Sequence, residues 1–148
     1  MKVSDVMKTD PITMKLDGTV VDAARLMRDH GIGFVPVCDE NRRVQGVITD
    51  RDLVTRVLAE NRALSTPVVD VMTLELVRCR PEDEVAAAAA SMADTHKGRM
   101  LVTRDDDVLE GVFSLSDLAD VDDANAAETL KKISTRENQD GGGQHIPR

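Results

Sequence analysis

Two short segments carry side chains suited to holding a small polar molecule: Gly46-Val47-Ile48-Thr49-Asp50-Arg51-Asp52-Leu53 and Gly111-Val112-Phe113-Ser114-Leu115-Ser116-Asp117-Leu118. Each opens on glycine, reaches a hydroxyl residue, Thr49 or Ser114, and places an aspartate three positions beyond it, Asp52 or Asp117. An ionised carboxylate only accepts hydrogen bonds, while a nearby hydroxyl both donates and accepts. The same spacing suits a plain helix start, with Thr49 and Ser114 as N-caps and the aspartates in the first turn. Spacing alone leaves both readings open.

The two segments belong to an internal duplication. Val3 to Leu53 overlays Val68 to Leu118 without a gap, at the offset of 65 residues that separates Met7 from Met72. Asp5/Asp70, Val6/Val71, Val20/Val85, Ala23/Ala88, Ala24/Ala89, Met27/Met92, Gly33/Gly98, Gly46/Gly111, Asp52/Asp117 and Leu53/Leu118 all match. Solenoids need at least about three stacked units. Two copies therefore favour a closed pair about a pseudo-twofold axis, in which a cleft lined by one copy has a counterpart lined by the other.

Each repeat reads as short helix, strand, helix, strand, strand, helix. In the first, Pro11 to Met14 is a short strand, and a helix follows with Val20, Ala23, Ala24 and Met27 at helical spacing. Thr19 and Asp22 offer a capping-box start and Gly31 a stop. Strands at Phe34 to Cys38 and Val44 to Thr49 flank the polar turn Asp39 to Arg42, and a last helix carries Leu53, Val54, Val57 and Leu58 on one side. The second repeat gives strand Val77 to Cys79, helix Glu84 to Thr95, and strands Met100 to Thr103 and Leu109 to Ser114 around an acidic turn, Asp105 to Asp107. The alanine run Ala86 to Ala90 is good helix material and permits close approach of a neighbour. The divisions expected are a first domain 1–60, a linker 61–67, a second domain 68–123, and 124–148 as a helical extension and disordered tail. In that last part Ala124 to Ile133 is the helix and Ser134 to Arg148, with Gly141-Gly142-Gly143, the tail.

Composition narrows the function classes. The chain has 148 residues, and each half alone is marginal for a stable core. Hydrophobic content is 41% but aromatic content is 1%, so the core is aliphatic and a ring-shaped ligand meets aliphatic walls. The net charge of −8 argues against a phosphate-backbone binder, and nucleic acid is not expected as a partner. A few converging Arg and Lys can still hold a small anion. Cys38 and Cys79 fall in apolar strands as small buried hydrophobes, and His30, His96 and His145 lack metal-ligand spacing, so no metal site is expected. No signal region or membrane-length apolar run is present, which gives the expectation of a cytoplasmic protein without a membrane partner.

The ordered pattern, repeated, closely resembles the cystathionine beta-synthase (CBS) domain. Asp-Val-Met, a strand, a Val-x-x-Ala-Ala-x-x-Met helix, Gly-Phe-Val-Pro-Val-Cys-Asp and Gly-Val-Ile-Thr-Asp-Arg-Asp-Leu carry the likeness from Val3 to about Val121. Two in tandem resemble a Bateman module. The resemblance implies an α+β fold of paired β-α-β-β-α units packed through their sheets, with two clefts that commonly hold AMP, ADP, ATP or S-adenosylmethionine. It implies that the aspartate of Thr/Ser-x-x-Asp accepts from ribose hydroxyls and that each cleft draws on both repeats. Cleft A then joins Thr49, Arg51 and Asp52 to Val77, Arg78, Lys97, Gly98, Arg99 and Met100. Cleft B joins Ser114, Ser116 and Asp117 to Ile12, Thr13, Gly33, Phe34, Val35 and Pro36. Arg99 matches a position where several relatives place a phosphate-binding arginine, and its counterpart is Phe34, so cleft A is expected to take a phosphorylated nucleotide. The second repeat departs from the family pattern in having Arg99-Met100-Leu101-Val102 where Pro-Val is usual.

Catalysis is not expected: no Cys/His or Ser/His pairing and no Gly-x-x-x-x-Gly-Lys loop stands out. The leading expectation is a regulatory adenine-nucleotide sensor, without a resident cofactor but with Mg2+ alongside ATP, acting as a homodimer on an unidentified client protein. The alternatives are a constitutive homodimeric scaffold with unoccupied clefts, and a binder of S-adenosylmethionine or an NAD-type ligand.

Overall fold

The structure, a computed structural model, describes residues 1–141, with side chains as far as Thr135. Its chain divides into two compact units, and neither is a single uninterrupted repeat. One comprises Asp10–Leu76 with Arg104–Leu109; the other comprises Met1–Thr9, Val77–Thr103 and the chain from Glu110 onward.

In the unit built on the first repeat, β2 (Met14–Lys15), β3 (Phe34–Cys38) and β4 (Val44–Thr49) form one sheet in that order, β2 parallel and β4 antiparallel to β3. The first strand is shorter and later than expected; Pro11 has no N–H to give a ladder, and pairing is confined to Met14↔Val37 and Lys15↔Cys38. Helix α1 (Val20–His30) starts at the expected capping box: Asp22 N–H donates to Thr19 Oγ1 at 3.3 Å, and Thr19 N–H donates to Asp22 Oδ2 at 2.9 Å. That backbone bond holds the Asp22 carboxyl below its usual range. Gly31 ends the helix in the left-handed region, φ 63°, where a side chain would be strained. Val20, Ala23 and Met27 are buried; Ala24, expected to face inward, is exposed.

After β4 a single turn, α2 (Asp50–Asp52), widens into a π-helical stretch Leu53–Leu58, seen in the i→i−5 bond from Ala59 N–H to Val54 O at 2.9 Å. The wider turn removes the common face expected for Leu53, Val54, Val57 and Leu58. Only Val57 is buried, while Val54 and Leu58 are 55% and 68% exposed.

The core of this unit is completed by residues that open the second repeat. Val68, Val71 and Met72 pack with Met14, Val20, Val35, Val37 and Ile48. Val68 N–H donates to Gly18 O at 2.9 Å, and Thr73 exchanges two backbone bonds with Val47, at 2.7 and 3.0 Å. The acidic turn of the second repeat belongs here too, with Leu109 N–H donating to Arg42 O at 2.9 Å.

The other unit mirrors this arrangement. Its sheet runs β1 (Lys8–Thr9), β7 (Leu109–Ser114), β6 (Arg99–Thr103) and β5 (Arg78–Cys79), with β1 antiparallel to β7 and β5 parallel to β6. Here Val3, with Val6 and Met7 beside it, packs into the core of Val85, Ala88, Met92, Met100, Val102 and Phe113. β1 pairs Lys8 with Val112, the exact repeat counterpart of the Thr73–Val47 pairing. Each repeat's leading Asp-Val-Met segment thus closes the unit built on the other repeat.

The glycines of the two Gly-Val motifs explain the exchange. A Cβ on Gly46 would lie 2.5 Å from Met72 Sδ, and one on Gly111 would lie 2.5 Å from Lys8 O and 2.9 Å from Met7 Sδ. Only a bare backbone admits the incoming methionine.

α3 (Val85–Thr95) and α4 (Leu115–Val121) are covered in this unit by α5 (Asp123–Gly141), which buries Ala126, Thr129 and Ile133. Ala89, the counterpart of exposed Ala24, is consequently 1% exposed. The expected helix at Ala124 to Ile133 is present, but it continues through Gly141 where a disordered tail from Ser134 was expected. Ser134 to Asp140 contains good helix formers and no proline, so the helix anchored by Ile133 propagates. Residues 142–148, with His145, lie outside the described residues.

Candidate functional site

The end of the second long strand in each repeat, β4 or β7, holds a carboxylate in nearly the same local frame. Thr49 closes β4 with extended backbone, accepts on Oγ1 from Asp52 N–H at 3.1 Å, and donates its own N–H to Asp52 Oδ2 at 3.0 Å. Ser114 closes β7 likewise: Asp117 N–H donates to Ser114 Oγ at 3.2 Å, and Ser114 N–H donates to Asp117 Oδ2 at 2.8 Å. Both boxes therefore serve as helix starts. The exposed Thr19–Asp22 pair has the same geometry, so capping alone marks no site.

What separates the two later boxes is burial. Asp52 is 5% exposed and Asp117 6%. A carboxylate withdrawn from water is costly unless donors or cations surround it, so such groups sit where something satisfies them.

The surroundings of the two carboxylates differ. Thr73 donates its hydroxyl to Asp52 Oδ1 and Oδ2 at 3.1 and 3.0 Å, and Arg56 Nε lies 3.6 Å from Oδ1. Arg56 also donates from Nη1 to the carbonyls of Val71 and Met72, each at 3.2 Å, which ties the π-helical stretch to the incoming segment. Among the described residues, Asp117 receives only the Ser114 N–H and the Ser114 hydroxyl, both on Oδ2 and both at 2.8 Å.

The other expected site residues divide by unit. Thr49, Arg51 and Asp52 belong to the same unit as Ile12, Thr13, Gly33, Phe34, Val35 and Pro36. There, Phe34 lies opposite Thr49 and Pro36 opposite Val47, and Asp50 N–H donates to Gly33 O at 3.0 Å. Ser114, Ser116 and Asp117 belong with Val77, Arg78, Lys97, Gly98, Arg99 and Met100. In that unit Leu115 N–H donates to Gly98 O at 2.8 Å, the repeat counterpart of the Asp50–Gly33 bond, and Leu101 N–H donates to Val77 O at 3.0 Å.

Each unit thus gathers its own strand ends: a glycine-led strand start beside a hydroxyl-led helix start. Ser116, Arg51, Arg78, Lys97 and Arg99 are exposed, and Thr49, Gly33, Gly98, Phe34, Ile12, Thr13 and Val77 are half-buried. Val35 and Met100 are 0% exposed core residues, so they offer no side-chain surface to a ligand; both face inward on their strands. Sequence reasoning missed Thr73 and Arg56. Arg56 follows Asp52 by four residues, a readable helical pair. Thr73 is 21 residues away and gives no local signal.

Cys38 and Cys79 are free and buried, and desolvation pushes their thiols up to about 11 and about 12. Among the described residues no three His, Cys, Asp or Glu gather as a metal site, and no helix is long and apolar enough to cross a membrane.

This twofold arrangement is matched by the CBS domain family profile at residues 3–59 and again at 68–124. The chain belongs to the CBS domain family. Its tandem CBS pair is 36% identical over 134 residues to the CBS domain-containing protein YhcV of Bacillus subtilis, which covers 89% of this chain and 94% of that relative. Among solved structures, a conserved CBS domain protein from Thermoplasma acidophilum superposes with a TM-score of 0.78 at 23% identity, covering 91% of this chain and 77% of that one. A CBS domain protein from Pyrobaculum aerophilum, complexed with AMP, gives a TM-score of 0.73 at 20% identity, covering 88% and 98%. At those identities the structural likeness speaks for the CBS fold.

Proposed function

We propose that this CBS pair is a regulatory module that binds an adenosine-type nucleotide and signals its occupancy to an unidentified client protein. The observation that carries this reading is the repeated Thr/Ser-x-x-Asp frame with its carboxylates only 5% and 6% exposed. A ribose diol would supply donors where solvent is largely excluded, and the bonds to an ionised acceptor would be charge-assisted. Arg51, Lys97 and Arg99 are exposed cations suited to phosphate, and Mg2+ would accompany ATP. The AMP complex of the archaeal fold neighbour supports the ligand class. Differential affinity of the ligand for two arrangements of the chain would drive the switch.

Calorimetric and thermal-shift titration with AMP, ADP, ATP, NAD and S-adenosylmethionine tests the reading. Binding at a hundredfold excess over Kd stabilises by about 2.7 kcal/mol. An unmoved melting temperature with all five would favour the second reading, a constitutive homodimeric scaffold. That alternative draws on Val54 and Leu58, apolar and 55% and 68% exposed on the π-helical stretch.

A further inference from the structure

Helix α5 closes a face in one unit that stays open in the other. In its own unit it packs on α3 and α4: Ala126 enters the core of Ala88, Ala89 and Met92 with Ala119 beside it, and Thr129 and Ile133 are buried too. Ala93 of α3 is likewise 6% exposed. His96, at the end of α3, sets Nδ1 2.8 Å from Lys132 O and fastens the far end of the contact. The face of this helix pair is a seat for one amphipathic helix.

The first-repeat unit holds the same helix pair, and no helix among the described residues covers it. α1 adjoins the π-helical stretch as α3 adjoins α4, while Ala59 to Leu76, which stand at the repeat offset from α5, form no α-helix. Ala24, the counterpart of Ala89, is exposed. Val54, the counterpart of Ala119, is 55% exposed, and Leu58 beyond it 68%. The charge differs as well: Arg25 and Arg28 stand on α1 where α3 has Ala90 and Ala93. Asp22 is committed to the capping box and Asp29 to Arg28 Nε at 2.8 Å, whereas exposed Arg25 has no ion pair among the described residues. An apolar patch in water beside a basic helix edge marks an interaction surface.

Building on the reading of a regulatory module with a client protein, we propose that the client docks on this face of α1 and the π-helical stretch. It does so with one amphipathic α-helix that carries carboxylates along the edge meeting Arg25 and Arg28. The helical form follows from α5, which fills the equivalent face of the other unit. The carboxylates follow from charge complementarity, since a helix seated as α5 is would meet Arg28 in place of Ala93. A second copy fits less well: twofold pairing sets a patch against itself, and the arginines of both copies would share one seam.

The test uses the full chain and a synthetic helix as probe: residues 122–135 of this chain with Lys131→Glu and Lys132→Glu, held helical by a side-chain staple. In 15N-labelled protein the amides of Ala24, Arg25, Val54 and Leu58 should shift, with Ala89 and Ala119 unmoved and a Kd below about 1 mM. The same stapled peptide with both lysines kept should bind at least about threefold more weakly, a preference that fades at high salt. Val54→Asp and Arg25→Glu, at exposed positions, should each weaken the acidic probe by about fivefold or more. The amide shifts are read on unaltered protein, so a variant that fails to fold does not decide the matter. No shift at about 1 mM probe, or shifts confined to α3 and α4, overturns the assignment. Sedimentation that shows a dimer without probe, dissociated by Val54→Asp, gives the face to a second copy and overturns it too. So does a monomer whose Ala24 and Val54 amides are shielded from a soluble paramagnetic agent, which gives the face to another segment of the same chain. Nucleotide titration separates the two readings: AMP binding without probe binding removes the docking face alone, and probe binding without any nucleotide removes the sensor alone.

Discussion

Thr73 closes the first-repeat unit by donating its hydroxyl to both carboxylate oxygens of Asp52, at 3.1 and 3.0 Å, across 21 residues of chain. The incoming segment is thereby fastened to the helix start that follows β4. Replacing Thr73 by Val keeps the shape and removes the donor, and is expected to cost about 1.5–3 kcal/mol in urea denaturation. Thr73→Ser should restore most of it. Substituting Lys8, its repeat counterpart, by Gln should stay within about 0.5 kcal/mol.

The glycines that admit the methionines should differ in tolerance. In Gly111→Ala the new methyl meets a backbone oxygen, Lys8 O at 2.5 Å, which can move only with β1. A loss of about 1–3 kcal/mol is expected. Gly46→Ala meets the Met72 thioether at 2.5 Å, and a flexible side chain can swing away at lower cost. Equal melting temperatures for the two variants would contradict the exchange of segments as the reason for these glycines.

Helix α5 makes two matched alanines behave differently. Ala89 is 1% exposed within the core that includes Ala126, so Ala89→Leu should overpack the contact and destabilise by about 1–3 kcal/mol. Ala24→Leu places its bulk in water and should change stability by less than about 0.5 kcal/mol. Comparison of the two denaturation midpoints checks this.

The buried thiols predict an alkaline limit. Their folded values of about 11 and about 12 lie above the ordinary 9.0, so between pH 9.0 and 11 the unfolded chain releases protons that the folded chain retains. Stability is unaffected by these groups at neutral pH and falls as pH rises through that window. Cys38→Ala/Cys79→Ala protein should show a shallower alkaline decline. Native protein at pH 7 should alkylate with iodoacetamide far more slowly than unfolded protein.

Much of the fold was legible because local chemistry and tertiary demand agree. Strands at Phe34–Cys38, Val44–Thr49 and Leu109–Ser114 match the expected limits, and Thr19, Thr49 and Ser114 cap helices as their spacing implied. Apolar periodicity failed where packing overrode it: at Val54 and Leu58, which a π-helical turn rotates outward, and at Ala24, which no helix among the described residues covers. The segment exchange left its signature in the sequence, as Asp-Val-Met and Gly-Val repeated at one offset. That pattern marks both motifs without saying that each methionine sits on the other repeat's glycine.

Duplication, the CBS pattern and the two aspartates follow from residue order alone, since capping and strand alternation act within a few positions and can be read from them. How each aspartate is surrounded does not. That difference is made by a threonine 21 residues from Asp52 and by an arginine whose repeat counterpart is Val121. Hydrogen bonding depends on distance in space, and only folding brings Thr73 to Asp52, while among the described residues Asp117 is bonded by Ser114 alone.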